Sequence, residues 1–473
     1  MPEIVTVLRA ADAALPHARS VVDIGIGPDG RIAALAAAGS LEGREIVDAD
    51  GLIAVPGGID LHVHVNTFFG GTTTRDDFLA GTAAAVLGGT TTIAQFAIPR
   101  PGETSVDAIH RTRAEADGRV VADYVVHGSV VRETYEPSLA ALDALPGLGV
   151  RTVKIFTAYT DAIGLEIGRV HRLLREAARV GITVFVHAET DSLVREGIEE
   201  AVREVGVGPT GHARSRTPLA EADALRTVAD LAGDTGATVY FVHVSSAPSV
   251  ATLAERRERG ERLLAETCPH YLFLDESVYE RPFAERWICS PPIRSAEHRA
   301  ALWDALRSGV IDTVSSDHNC FDTVQKAEAD GDFRRVPNGL PGIEHRVPLL
   351  LGAAIDDRLS WSRAVDVTAA TPARILGLWP RKGALVVGAD ADIALVDPAA
   401  RTPLGESHMA TDYSPYEGET ASGRIVRTIR RGATVAMDGQ LVAEPGSGRH
   451  VPLDGVSIAS RSTPPAAAAV GTS

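Results

Sequence analysis

The residues of this chain that could do chemistry stand at the ends of apolar runs. His62 and His64 lie in GIDLHVHV (58–65). Strand alternation there predicts Asp60, His62 and His64 on one face, with Ile59, Leu61, Val63 and Val65 on the other. Two imidazoles on one face can chelate one metal ion, or can simply hydrogen-bond as a pair. His187 closes VFVHAE and His243 closes VYFVHVSS, each after an apolar run that carries it to the C-terminal end of a strand. Either one alone reads as a satisfied core histidine. Four histidines at the ends of three strands read as a metal site. Asp317 ends IDTVSSDH, where a carboxylate can ligate metal and shuttle a proton, or cap a following helix. Lys154 sits among Val153, Ile155 and Phe156 in RTVKIFTAY. Burying an ammonium is costly, so such a lysine has a depressed pKa or an anionic partner. A neutral amine can add carbon dioxide to become a carbamate, an anionic ligand able to bridge two metals. Strand context alone favours the plainer outcome, an ion pair with a carboxylate.

These residues need a scaffold that aligns strand ends. Apolar β-rich runs at 58–65, 90–98, 123–131, 151–159, 181–188, 238–245, 262–268 and 311–317 alternate with segments of helical periodicity such as GRVHRLLREAARVG (168–181). Eight such alternations predict a (β/α)8 TIM barrel over 56–379, whose sites gather at the C-terminal mouth; a doubly wound sheet is the competing fold. Residues 3–9 and 19–26 read as strands, as do 383–398 and 423–444. They predict a small β-sandwich domain built from both chain ends, 1–55 with 380–450. Residues 451–473 read as a mobile tail or one held by a neighbouring subunit.

Composition bounds the partners. The 473 residues carry 46 Lys plus Arg against 62 Asp plus Glu, a net charge of −16 with no basic stripe, which argues against nucleic acid. No uncharged apolar run reaches the ~18 residues of a membrane span. The N-terminal stretch lacks the pattern of a secretory signal, and Cys268, Cys289 and Cys320 are odd in number and far apart. Both features predict a reducing cytoplasm. Lysine occurs three times against 43 arginines. Lys326 and Lys382 fall in polar, loop-like contexts, DTVQKAEAD and WPRKGALV, and read as incidental; Lys154 does not.

The order HxH on strand one, Lys on four, His on five, His on six and Asp on eight is the ligand pattern of the amidohydrolase superfamily with a binuclear metal centre. The surrounding sequence resembles the dihydropyrimidinase/hydantoinase family, through VPGGIDLHVHV, DDFLAGTAAAVLGGTTTIAQFAIP, VKIFTAY, VHAE, GHARSRTP, ETCPHYLFL, CSPPIR, QKAEADGDFRRVPNGLPGIEHR and DYSPYEG, spanning about 50 to 450. The resemblance implies two Zn2+ ions per subunit, with Mn2+ or Co2+ as alternatives, bridged by N6-carboxylated Lys154 and a hydroxide. His62, His64 and Asp317 would hold the first ion, and His187 and His243 the second. It further implies hydrolysis of a ring amide in a small cyclic ureide or imide, with Asp317 moving the proton and Tyr159 stabilising the oxyanion. Backbone groups of Ser290 and Asn338 would grip the ring; on turn chemistry alone both are loop residues. Phe68, Phe69 and Phe156 would line a pocket for the ring substituent. A homotetramer, or a dimer, is the implied assembly.

The chain departs from the family at several places. Thr67-Phe68-Phe69-Gly70 replaces a Pro-Phe-Met-Gly-like stretch, Gln95 a common Asp, and Thr190-Asp191 the usual Asn-Gly; Cys320 sits one place later than usual. The resemblance still implies ring opening of hydantoins or 5,6-dihydropyrimidines to N-carbamoyl amino acids. An allantoinase-type ureide hydrolase is the alternative enzyme. A non-catalytic assembly relative is the third reading, and the six filled ligand positions oppose it.

Overall fold

The apolar runs become eight parallel strands in the computed structural model, which describes residues 3–453. They are β1 (Gly58–Val63), β2 (Thr90–Phe96), β3 (Asp123–Ser129), β4 (Thr152–Phe156), β5 (Thr183–His187), β6 (Val239–Phe241), β7 (Leu263–Thr267) and β8 (Thr313–Val314). They pair in sequence order from β1 to β8. The ring comes near to closure where the His64 N–H donates to the His318 carbonyl at 2.7 Å, just beyond β8. Every strand residue is buried because both faces are covered, which explains the near-continuous apolar runs. Val153, Ile155, Val184, Val186, Val239 and Phe241 face the outer helices. The helix Ile167–Val180 shows how they are covered. Val170, Leu173, Leu174 and Ala177 form its buried stripe, and Gly181, with φ of 78°, ends it in a left-handed cap. Burying each of its larger aliphatic side chains contributes roughly 1.5–3 kcal/mol.

The inner face is filled by rings. Phe96 and His127 stack with centroids 4.7 Å apart, His127 and Phe185 lie 4.7 Å apart, and Phe185 and Tyr240 stack at 4.2 Å. This layer closes the barrel below its mouth.

Simple alternation fails on β1. Asp60 pairs with Ile93 but Val63 with Gln95, so β1 carries one residue more than β2 over that stretch. Ile59 and Leu61 consequently join the inner cluster, together with Phe96 and Phe185, while Val63 and Val65 join the outer one. His62 still reaches the mouth, but Asp60 turns towards β8, accepting from the Ser316 N–H at 3.0 Å.

Strands from both chain ends form one separate nine-stranded sheet. Its seam is Ile53–Pro56 against Ile393–Pro403, antiparallel, with Ile393 opposite Pro56. The doubly wound alternative does not produce this arrangement. The first strand runs over Thr6–Ala14, longer than the run read from sequence, because it continues through an irregularity between Leu8 and Ala11. Asp23 accepts from the displaced Ala10 N–H at 2.9 Å, which makes that bulge tolerable. Val451 and Leu453 are buried and bond to the backbone of Tyr124 and Gly149, so the expected tail starts later than residue 451; residues 454–473 lie outside the described residues. No described helix is long and apolar enough to cross a membrane.

Lys382 is not incidental. It is fully buried between barrel and sheet, donating to Asp392 at 2.6 Å and Asp123 at 2.9 Å. Asp123 begins β3, and Asp392 precedes the seam strand. Arg431 joins the cluster through Asp123 at 3.1 Å. Burial lowers the lysine's pKa, but the two carboxylates outweigh it and raise it overall. Removing one partner from such a cluster leaves buried uncompensated charge, costing about 3–5 kcal/mol. Lys382→Met is therefore expected to unfold at clearly lower urea than wild type, and an unchanged midpoint would refute this coupling of barrel and sheet.

Candidate active site

The strand ends deliver the site. His62 lies within β1 and His64 one residue past it; Lys154 is central in β4; His187 ends β5; His243 lies two residues past β6 and Asp317 three past β8. All six line one small cavity together with Phe69, Phe156, Tyr159, Ser290 and Asn338. Phe68 alone of the sequence-selected residues stays outside it. That residue is 60% exposed, on the rim of a larger adjoining cavity. Tyr159, His243 and Asp317 have φ of 60°, 41° and 48°. Left-handed backbone at non-glycine residues is strained, and here it aims three side chains inward at the end of regular pairing.

The donor atoms fit divalent cations. His62 Nε2 lies 3.0 Å from Asp317 Oδ1 and 3.1 Å from His64 Nε2, and His64 Nε2 is 3.5 Å from the same Asp317 oxygen. Donors ~2.1 Å from one ion in tetrahedral geometry would be spaced by about that much. His187 Nδ1 and His243 Nε2, 2.9 Å apart, form a second pair of adjacent donors. The far nitrogens are held from behind. His62 Nδ1 meets Glu266, which also accepts from the Tyr240 hydroxyl at 2.6 Å. His187 Nε2 meets Glu189 at 2.7 Å. A carboxylate on one ring nitrogen directs the other nitrogen's lone pair into the cavity and raises its basicity.

Lys154 lines the same cavity as the two donor groups. Among the described residues it makes no ion pair, contrary to the plain expectation; its Nζ sits 5.0 Å and 5.3 Å from the ring centroids of Phe96 and Phe156. Burial lowers its pKa to about 8, which makes the neutral amine accessible near neutrality. Burial likewise brings His64 down to about 4. The Asp317 carboxyl is pushed up by burial, but His62 beside it outweighs this and keeps it well below its usual range.

Tyr159 faces the same space. Its phenol oxygen accepts from Arg216 Nη2 at 2.6 Å, and the guanidinium carbon stands 4.8 Å from the ring centroid. Arg216 is in turn paired with Glu189. The phenol proton is thereby left to donate into the cavity. Two buried amide oxygens at the cavity wall, Asn319 Oδ1 and Asn338 Oδ1, have no partner among the described residues. Orphaned polar atoms in a cleft point to a ligand.

Glu189, Arg216 and Glu266 lie in stretches that carry the family resemblance, VHAE, GHARSRTP and ETCPHYLFL, but their own roles are not readable from sequence. The available signal was a charged residue ending or following an apolar strand run, as in RLLAETC. Two of the departures, Gln95 and Asp191, make scaffold contacts. Gln95 holds the backbone of Val65 in both directions at 3.0 Å, anchoring the loop that carries Phe68 and Phe69. Asp191 accepts from the Thr160 hydroxyl at 2.6 Å, securing the turn at Tyr159. Cys320 joins Asp76 and His318 in a second buried group of metal-capable atoms. There, however, His318 Nε2 already meets Asp76 at 2.7 Å and its Nδ1 accepts from the Gly342 N–H at 3.2 Å.

The site opens into a cavity of about 720 Å3, shared at Phe69, Tyr159 and Asn338 and walled further out by Ile98, Val131, Ile163 and Val336. A space of this size and apolar character suits a bulky organic substituent.

Comparison with known proteins agrees with this geometry. The model of the amidohydrolase family matches residues 53–435. A D-hydantoinase of Streptomyces coelicolor is 38% identical over 435 residues, covering 90% of this chain and 93% of that protein. One of Geobacillus stearothermophilus is 38% identical over 433 residues, covering 89% and 91%. Among solved structures, the dihydropyrimidinase of Brevibacillus agri superposes with a TM-score of 0.91 at 34% identity, covering 95% of this chain and 98% of that one. The L-hydantoinase (dihydropyrimidinase) of Arthrobacter aurescens superposes with a TM-score of 0.88 at 27% identity, covering 95% and 100%. With its barrel, its convergent strand-end histidines and aspartate and these relatives, the chain belongs to the amidohydrolase family, within its hydantoinase/dihydropyrimidinase group of hydrolases acting on cyclic amides.

Proposed function

We propose that this chain is a binuclear-metal cyclic amidase that opens 5-substituted hydantoins, or 5,6-dihydropyrimidines, to N-carbamoyl amino acids. The observation that carries the reading is the convergence of four histidines, Lys154 and Asp317 on one cavity that opens directly into a large apolar one. His62, His64 and Asp317 would hold one ion, His187 and His243 the other, with carboxylated Lys154 between them; zinc is the favoured metal. Such a pair of divalent ions lowers the pKa of a shared water towards neutrality and polarises the carbonyl to be attacked.

The chain's own residues supply the rest. Asp317 accepts the proton of the attacking water and returns it to the ring nitrogen as the amide C–N bond breaks. Tyr159 donates its phenol proton in a hydrogen bond to the developing oxyanion, supported from behind by Arg216. Backbone groups at Ser290 and Asn338 orient the ring amide. Phe69 and Phe156 border the ring, and Phe68 lies on the rim of the substituent cavity. The VKIFTAY and PNG stretches favour hydantoins or dihydropyrimidines over allantoin. The same reading divides the chain into a catalytic unit, 56–379, and a β-unit from both ends, and gives it a homotetrameric or dimeric assembly in the cytoplasm.

A substrate panel tests the activity: dihydrouracil, unsubstituted hydantoin, both enantiomers of 5-aryl hydantoins, and allantoin, each followed by ring opening. Turnover of a hydantoin or dihydrouracil is expected, and turnover of allantoin alone would sink the proposal. Lys154→Ala is expected to lose the metal pair and the activity together. A purified variant that kept both metals and most of its turnover would exclude lysine as the bridge. His243→Asn should keep the fold by circular dichroism while losing more than about 100-fold in kcat; normal kinetics would remove His243 from the metal site.

A further inference from the structure

Lys326 is the third lysine of the chain, and it is fully buried. Among the described residues no carboxylate lies within ion-pair distance of it. Burial lowers its pKa to about 7; its Nζ lies within hydrogen-bond distance of three backbone carbonyls, Gly339 at 2.9 Å, Ile288 at 3.0 Å and Pro337 at 3.3 Å, and in the protonated form donates to all three. These carbonyls belong to two segments far apart in sequence. Ile288 stands two residues before Ser290, and Pro337 and Gly339 flank Asn338. Three N–H donors on one tetrahedral nitrogen are thus spent on holding together the two segments expected to grip the ring.

The neighbouring contacts locate the clamp's effect. The Gly339 N–H donates to the Ile288 carbonyl at 3.0 Å, so the segments already touch at that point. Asn319 Nδ2 donates to the Asn338 carbonyl at 3.2 Å. Gly339 has φ of 153°, and a Cβ there would fall 2.5 Å from the Asn319 carbonyl oxygen, so the backbone passes where no side chain fits. An apolar side chain of similar length would fill the space of Lys326 without the desolvation cost of a buried cation. What the ammonium adds is direction: it fixes the planes of three peptide units, and with them the two segments between which the ring amide is held.

We infer that Lys326 is a positioning residue for substrate, a buried clamp whose Nζ contacts set the spacing of the Ser290 and Asn338 segments without touching the ring or the metals. This inference rests on the proposed ring-opening reading. It differs from a general stability role because it acts on ring binding rather than on the proton transfer or the metal pair, which other elements hold.

The test compares wild type with Lys326→Met, Lys326→Gln and Lys326→Arg, using unsubstituted hydantoin as substrate so that the substituent cavity takes no part. Bound metal, circular dichroism, KM and kcat are measured for each. In Lys326→Met, KM is expected to rise at least tenfold, with kcat within about threefold and metal content as in wild type. Lys326→Arg, which keeps a cation and several donors, is expected to recover part of the lost KM. If Lys326→Met does not fold, Lys326→Gln is judged by the same criteria. A folded, metal-loaded variant with unchanged KM overturns the clamp, as does one that loses metal and kcat at unchanged KM. Wild type that opens neither a hydantoin nor dihydrouracil would instead overturn the functional reading, and the clamp's role with it.

Discussion

The structure depends on one electrostatic constraint. Ligand-type atoms from opposite ends of the barrel sequence are held within about 3.5 Å of each other in a space nearly closed to water, as His62, His64 and Asp317 are. Lone pairs in that arrangement repel unless a cation or shared protons lie between them. The fold must supply the rigidity to keep them there. The near-closed ring of strands, the aromatic layer beneath the site and the carboxylates behind His62 and His187 all serve that end. So does the left-handed backbone at His243 and Asp317, which regular strand geometry would not adopt.

The three lysines show three ways in which a protein interior accommodates an amine. Lys382 is balanced by carboxylates, and it joins the barrel to the chain-end sheet. Lys326 is solvated by carbonyl dipoles alone. Lys154 has neither kind of partner among the described residues and lies against two aromatic rings, where burial favours its neutral form. Burial lowers the pKa of Lys326 as well, so what sets Lys154 apart is that it lines the cavity of the candidate site, where a carbamate would face the histidines. An arginine could substitute for charge in the first setting but would stay protonated in the last.

Much of the site was legible because strand ends announce themselves: an apolar run followed by His or Asp places that residue at the mouth of a parallel barrel. HxH, His187, His243 and Asp317 were visible in this way and Lys154 only through the family resemblance, and the structure brings them to one cavity. The supporting residues were less visible. Glu266 and Glu189 stand at strand ends too, but nothing local says that each reaches a histidine on another segment. Local context misled outright for Lys326 and Lys382, since polar neighbours in sequence did not prevent full burial in space. The outer and inner faces of β1 were assigned by alternation, which one extra residue in the pairing overturned.

By itself, the sequence determined the alternation of strands and helices, the side chains available at the strand ends, and the family resemblance these carry. Periodicity and burial are local consequences of residue type, and so they can be read along the chain. Only the tertiary structure decided which polar groups meet: that Glu266 backs His62, that Arg216 supports Tyr159, that Lys326 gathers two loops, and that a cavity of about 720 Å3 adjoins the site. Those contacts join residues tens to hundreds of positions apart. Their distances are set by barrel closure and by the satisfaction of buried polar atoms, which no local pattern encodes.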